Sequence, residues 1–416
     1  MAKIGIIDAE IIGKAKHRFP NLCCMKLSTY HKQKGDEVTL LLDYNNIDMY
    51  DKVYISKVFI KTEIPGEPKD QSGKTEETVI DWYRDNEFLK KPNIEYGGTG
   101  FFYDKAPPLP REVEHAFPDY HLYDEWVAAK IESGIKRSEF TYYLDYSIGY
   151  LTRKCFRGCY YCVNRGYKKV EPASNLSEFY VKTRPKLCFL DDNFLGYPQW
   201  RKLLAPVIES GKRFQFKQGL DERLLTEQTI REIASWKYDG EMIFAFDNIE
   251  DKDLIVSKLE LIRRTVPNWT RELKFYVFCG CDKNDRYDAE FWENDIRNLF
   301  ERITILRAYN AKPYIMRHEN VYKSRYKSFY ATVAAYCNQP AMFKSFSFRL
   351  YAQCRAMRKK DYAVYKRDIA KYLAENDYKG SAWQSMEMVE REFPEIACTY
   401  YDIDQSTDLS QWRCRK

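Results

Sequence analysis

No apolar run in the 416 residues approaches the length of a bilayer span, so a membrane-spanning helix is not expected. Nor does Met1-Ala2-Lys3-Ile4-Gly5-Ile6 open a secretory leader, because its apolar run is short and stops at Asp8. The cytoplasm is therefore the default. Charge of one sign is also scarce: 67 basic residues face 61 acidic ones, and a net +6 on so large a surface does not establish nucleic-acid binding. With 44% hydrophobic and 31% charged residues the composition is that of a globular chain rather than a disordered one. Its length suits two or three domains with a sizeable core.

Cysteine, by contrast, is plentiful at 12 residues. In an intracellular chain that argues for reduced thiols and metal ligation over a disulfide framework. Three of them stand within eight residues, Cys155-Phe156-Arg157-Gly158-Cys159-Tyr160-Tyr161-Cys162. The spacing CxxxCxxC puts three thiolates on one short loop, enough to hold three irons of a cubane iron–sulfur cluster and leave the fourth open. Soft sulfur donors select zinc, copper(I) or iron–sulfur over hard cations. Gly158 lets the backbone fold tightly, and Tyr161 sets an aromatic ring before the last thiol. Two other readings stay open at this point. A structural zinc wants four protein ligands, with no histidine nearby and Cys188 the nearest fourth; three unrelated buried cysteines is the other.

The run Ile148-Gly149-Tyr150-Leu151-Thr152-Arg153 leading into CxxxCxxC, with its aromatic before the third Cys, resembles the signature of the radical S-adenosylmethionine (SAM) superfamily. The resemblance implies that Cys155, Cys159 and Cys162 ligate a 4Fe-4S cluster whose remaining iron chelates the amino and carboxylate groups of SAM. It implies reductive cleavage of SAM to a 5'-deoxyadenosyl radical, which takes hydrogen from a substrate the sequence does not identify. A reductant such as flavodoxin or ferredoxin is implied with it. Asp191-Asp192-Asn193-Phe194 resembles the strand-two motif of radical SAM proteins with a cobalamin-like N-terminal domain, which would set Asp191, Asp192 and Asn193 against the SAM amino or ribose groups. The residues alone read equally well as a helix N-cap. Tyr161 joins the same cofactor set. For the SAM carboxylate the resemblance implies a basic residue after strand three, Arg223, whose plain alternative is a surface ion pair; Arg317 is the second candidate, by its position after strand six.

Taken in order, residues 1–120 read as a Rossmann-like open α/β sheet. Lys3–Asp8 is a buried strand, a helix starts at Pro20-Asn21, and strands follow at Val38–Leu42 and Asp51–Ser56 before a Gly97-Gly98-Thr99-Gly100 turn. The pattern is similar to the cobalamin-binding-like domain that precedes many radical SAM cores. The Asp-x-His-x-x-Gly motif that ligates cobalt is missing, which weakens the expectation of cobalamin without removing it. His17 and His31 are read as surface residues. Lys61–Lys91, with Pro65, Gly66, Pro68 and Gly73, reads as a solvated insertion, and prolines 107, 108, 110 and 118 lead into a linker at 121–141.

From 142 to 320 strands and helices alternate. Strands are expected at Tyr146–Leu151, Lys186–Leu190, Arg213–Gln218, Met242–Phe246, Leu273–Phe278 and Lys312–Met316, with a helix started by Thr226. Polar residues just past each strand suggest a full or partial β/α barrel with its chemistry at the strand C-terminal ends. His318 and the pair Cys279 and Cys281 fall there as weaker candidates; a lone His is usually structural, and buried Cys usually behaves as a small hydrophobe. Residues 321–416 read as helices, including Tyr326–Cys337 and Tyr362–Asn376, with a loosely ordered end from Ile403. Their basic and aromatic mixture motivates a second hypothesis, a metal-stabilised nucleic-acid-binding protein without radical chemistry.

Overall fold

The computed structural model describes residues 1–67, 82–356 and 380–413, with single positions at 368, 371 and 375. Its contacts divide into two units, one of residues 1–218 with 237–239 and one of residues 219–236 with 240–416. Among the described residues no helix is long and apolar enough to cross a membrane.

The first unit begins with β1 (Lys3–Asp8), buried along all but its first residue. It pairs in parallel with β2 (Glu37–Leu40) and β3 (Lys52–Ser56). A strand paired on both edges and covered on both faces reads as a continuous apolar run, as Ile4-Gly5-Ile6-Ile7 does. Helix α1 (Leu22–Gln33) starts where Asn21 Oδ1 accepts from the N–H groups of Cys23 and Cys24. A strand missing from the sequence reading, β4 (Ile94–Gly97), completes a parallel sheet of order β2-β1-β3-β4.

The Gly-rich turn after β4 answers to a close approach. Gly98 has φ +110°, and a Cβ there would stand 2.3 Å from the Lys57 carbonyl oxygen, which accepts from Gly100 N–H at 2.9 Å. Lys57 itself is fully buried against Tyr83 and Glu67.

Three expectations for this unit need correction. His31 is interior, with Nδ1 2.9 Å from Asp36 Oδ2 and Nε2 3.0 Å from the Tyr54 hydroxyl, while His17 is half-buried beside the Tyr143 hydroxyl. The described part of the supposed insertion sends Ile64, Tyr83 and Leu89 into the core with Ile7, Val53 and Ile55; Pro68 and Gly73 lie outside the described residues. The stretch read as a linker carries α2 (Asp124–Glu132), whose Trp126 and Val127 pack with Tyr123, Phe140 and Tyr143. Its own apolar side chains, rather than the prolines that precede it, decided its structure.

Also in the first unit, β5 (Tyr146–Gly149), β8 (Lys186–Phe189) and β9 (Arg213–Phe216) form a parallel sheet of order β5-β8-β9. Between β5 and β8 lies a two-residue antiparallel ribbon of β6 (Thr152–Arg153) and β7 (Glu171–Pro172). Helix α3 (Trp200–Glu209) joins β8 to β9 and buries Trp200, Leu204 and Val207.

The second unit holds β10 (Met242–Ala245), β11 (Leu273–Cys279) and β12 (Lys312–Arg317), parallel and in that order. Thr226 caps α4 (Glu227–Ser235) as its sequence requires. Helices α5 (Lys252–Thr265) and α6 (Ala289–Ala308) make the crossovers. The buried Arg302 donates to the carbonyls of Phe246, Asp247 and Phe278, closing the ends of β10 and β11. The six strands expected in one barrel thus occur as two three-stranded parallel sheets, and among the described residues no closed barrel is formed.

Beyond β12 the described residues carry helices and no strand, among them α7 (Lys327–Cys337), α8 (Phe348–Ala356), α9 (Ser381–Glu392) and α10 (Pro394–Tyr400). Tyr326, Tyr330, Tyr336, Tyr351 and Tyr401 are among the largest fully buried side chains, so these five build core rather than a stacking surface. The end is anchored, not loose: Leu409 is buried and Arg413 Nε donates to Ala308 O at 2.6 Å. Of the helix expected over 362–376 only positions 368, 371 and 375 are described, and Cys414 lies outside the described residues.

Candidate metal-cluster loop

Strand β5 ends at Gly149, and the β6–β7 ribbon pairs Thr152 with Pro172 and Arg153 with Glu171, closing the base of the loop that carries the three thiols. Lys154 enters that loop at φ +74°, a left-handed conformation that costs a non-glycine residue roughly 1–2 kcal/mol. Gly158 turns it at φ +63°, and Cys162 N–H donates to Cys159 O at 3.0 Å. Cys155, Cys159 and Cys162 are all partly exposed and in no disulfide.

Two of the sulfurs accept hydrogen bonds. Asn193 Nδ2 donates to Cys155 Sγ and the Asn164 backbone N–H to Cys162 Sγ, each at 3.4 Å. Burial pushes the Cys162 thiol up; the Asn164 N–H opposes this, and Cys159 and Cys155 add to it, so the three sulfurs sense one another. Among the described residues no three His, Cys, Asp or Glu side chains gather around one metal-ion position. Ligands of a single tetrahedral zinc at about 2.3 Å stand roughly 3.8 Å apart, whereas cubane thiolates each take a different iron and need no common centre. Cys188, the fourth ligand the zinc reading would need, is fully buried in β8 among Leu22, Tyr146, Ile148 and Leu190.

Asp191, Asp192 and Asn193 face the loop. Asp191 is wholly buried, with Oδ1 accepting from Thr152 N–H at 2.6 Å and Thr152 Oγ1 at 2.7 Å, and Oδ2 from Leu151 N–H at 3.1 Å. Burial pushes its carboxyl to about 7 against the pull of those donors. Asp192 accepts from Lys154 N–H at 2.7 Å and Asn164 Nδ2 at 2.9 Å. Asn193 caps the turn Phe194–Gly196 by accepting from Gly196 N–H, which is the cap reading made good, and donates to sulfur on its other side.

The far side of the loop is held by residues the sequence did not single out. The Tyr103 hydroxyl donates to Tyr161 O at 2.7 Å, and Arg165 Nε to Asp104 Oδ2 at 2.7 Å. Both partners lie just past the Gly-rich turn after β4, about sixty residues away, and only the folded chain reveals them. The Tyr161 ring packs edge-on to Tyr160 at 5.1 Å.

The remaining candidates belong to the second unit. Arg223 Nε lies 2.7 Å from Asp221 Oδ1, and its guanidinium also has Glu222 and Asp251 at 3.8 Å. Arg317 stacks over Tyr322 at 5.1 Å. His318 caps the short helix Glu319–Lys323 through Asn320 N–H, a structural role. Cys279 is buried, its thiol pushed well up by burial, which makes it inert; Cys281 is partly exposed.

Glu222 is buried as well, and burial, with the charge of Asp221 adding, pushes its carboxyl up to about 8 from an ordinary 4.5. A raised carboxyl contributes stability that is complete below pH 4.5 and lost as pH rises through about 8. Glu222→Gln should therefore leave stability at pH 4 unchanged and raise it at pH 8 by about 1–3 kcal/mol. Urea unfolding at the two pH values measures this, and equal effects at both would contradict it.

Comparison with known proteins gives remote structural matches. No family model matches the sequence, and no curated protein does. The solved structures include the radical S-adenosylmethionine methyltransferase TsrM from Kitasatospora setae, with cobalamin and a 4Fe-4S cluster bound. It is 11% identical over 76% of this chain and 75% of its own, with a TM-score of 0.46. The apo form of OxsB, a cobalamin-dependent S-adenosylmethionine radical enzyme, is 12% identical over 94% of this chain and 61% of its own, with a TM-score of 0.30. The superfamily named from the loop sequence is the one to which both neighbours belong. At such identity and overlap, what this chain does rests on its own residues.

Proposed function

We propose that this chain is a radical SAM iron–sulfur enzyme, in which Cys155, Cys159 and Cys162 each bind one iron of a 4Fe-4S cluster and leave the fourth for SAM. The observation that carries the reading is one loop: three thiols in eight residues, closed at its base by a ribbon, with N–H donors on two sulfurs. The donor set fits the group, because thiolates are its ligands and hydrogen bonds to sulfur tune it. When bound, such a cluster supplies the electron that cleaves SAM reductively to a 5'-deoxyadenosyl radical.

The chain's own residues hold the geometry. Gly158 makes the turn between the first two thiols, and Tyr161 sets a ring beside the last, suited to flank an adenine. Asp191 and Asn193 are buried and already bonded to the loop and its cap, so the partly exposed Asp192 is the better candidate of its stretch for a SAM polar group, with Asp191 and Asn193 behind it. Arg317 and Arg223 are proposed for the SAM carboxylate; for Arg223 this requires its fork to leave the carboxylates it already faces. In the N-terminal sheet the strand order reverses between β1 and β3, where such folds bind ligands, and there Glu10 already accepts from the N–H groups of Val58 and Phe59.

The same proposal includes a partial β/α barrel as the catalytic core over 142–320, a cytoplasmic setting, a reductant of the flavodoxin or ferredoxin kind, and a substrate still to be identified. Of the C-terminal tyrosines that motivate the nucleic-acid reading, Tyr326, Tyr330, Tyr336, Tyr351, Tyr400 and Tyr401 are buried, which weakens that reading. Anaerobically reconstituted protein, given SAM and dithionite, should release 5'-deoxyadenosine detectable by mass spectrometry. S-adenosylhomocysteine alone, or no product, would overturn the assignment.

A further inference from the structure

We propose that Asp191-Asp192-Asn193 is a three-point clamp that presets the thiol loop and, through Asn193, adjusts the ligand Cys155; the second half rests on the cluster reading above. The clamp is visible as a succession of contacts. Asp191 takes the backbone N–H groups of Leu151 and Thr152, Asp192 that of Lys154, and Asn193 the sulfur of Cys155. Three consecutive residues just past β8 thus grip successive positions of the loop entrance, from Leu151 to Cys155, passing over Arg153. Asp192 also reaches across to Asn164 Nδ2, so one carboxylate joins the entrance of the loop to its exit.

The grip falls where the backbone needs it. Lys154, immediately before the first thiol, holds φ +74° without being glycine. Such a conformation persists only where its surroundings fix it. Its N–H is bonded to Asp192 Oδ2 and its ammonium to Glu171 Oε2 at 2.6 Å. Without the carboxylate, Lys154 would relax toward negative φ and swing Cys155 away from Cys159 and Cys162. Asn193 does a different job with each end of its amide: the oxygen accepts from Gly196 N–H and the nitrogen donates to sulfur. A donor on a ligating thiolate stabilises the more negative, reduced state of a cluster.

Two isosteric variants separate the halves. Asp192→Asn replaces one acceptor oxygen by a donor, and the test reads hydrogen exchange over 151–164 in the full chain without iron. Exchange should accelerate about tenfold, the size expected for a lost charge-assisted hydrogen bond. Adding Lys154→Gly, which accepts positive φ without strain, should recover about fivefold of that loss. A residue that merely contributed to overall stability would not be rescued at this position.

Asn193→Asp keeps the oxygen that Gly196 uses but puts an anion in place of the donor to sulfur. In reconstituted protein the reduced-to-oxidised ratio at fixed potential should fall about tenfold, a midpoint lower by ~59 mV for a one-electron couple. Unchanged exchange in Asp192→Asn, or exchange that Lys154→Gly does not slow, overturns the clamp. An unchanged potential in Asn193→Asp overturns the adjustment of Cys155. Wild-type protein that takes up no iron overturns the cluster reading and the adjustment together, while exchange in the iron-free chain still decides the clamp.

Discussion

Changing Cys155, Cys159 and Cys162 together to Ala is expected to remove iron and acid-labile sulfide from the reconstituted protein and to abolish SAM cleavage with them. Each single change should do nearly the same, because a cubane with one unligated corner loses both anchorage and its set position. The fold should survive. None of the three is among the buried core residues, and the loop hangs from a ribbon and from Asp191 and Asp192, none of which uses a cysteine side chain. Iron and sulfide analysis, thermal unfolding and product assay on the same preparations check the three statements. A triple variant that keeps a cluster would show that other thiols bind it, and one that unfolds would show that the loop is structural.

The second large effect concerns the strand that delivers the loop. Gly149 ends β5, and a Cβ at that position would stand 2.4 to 2.7 Å from three ring atoms of Phe179, a ring that is itself buried. Gly149→Ala therefore forces either the ring or the strand to move. Overpacking of this kind costs about 1–3 kcal/mol. The displacement should also lower iron uptake, since Leu151 and Thr152, two and three residues on, are the positions Asp191 grips. Adding Phe179→Leu frees space at the ring and should restore most of the iron uptake, though not all of the stability. Denaturant unfolding with iron content of the single and double variants is the measurement, and a single variant as stable as wild type would contradict the packing argument.

Much of the architecture could be read from local pattern. The strands at Lys3, Lys52, Lys186, Arg213, Met242, Leu273 and Lys312 announced themselves as short apolar runs bounded by polar residues, and Asn21 and Thr226 capped helices as their chemistry requires. β4 escaped notice because Ile94-Glu95-Tyr96-Gly97 is short and sits at a sheet edge, where periodicity is weakest. The prolines just before 121–141, and proline and charge within Lys61–Lys91, made these stretches look like connectors, yet Trp126, Phe140, Ile64 and Leu89 are core. His31 looked like a surface residue because its partners, Asp36 and Tyr54, come together only when β2 and β3 flank β1.

The site divides in the same way. Three thiols in eight residues are a local signal, and so was the carboxylate pair after β8. What that pair holds was not legible, because its partners lie about forty residues upstream and include backbone N–H groups that carry no sequence signature. Tyr103 and Asp104 were hidden for the same reason. The tyrosines of the last hundred residues invited a base-stacking reading that composition alone cannot correct; burial corrects it for Tyr326, Tyr330, Tyr336, Tyr351, Tyr400 and Tyr401.

All of this depends on what metal the three sulfurs carry. Protein purified without oxygen should be brown, with about four iron and four acid-labile sulfide per chain, and on reduction should give a paramagnetic cluster signal that changes when SAM is added. Colourless protein with one zinc per chain and no sulfide would contradict the proposal.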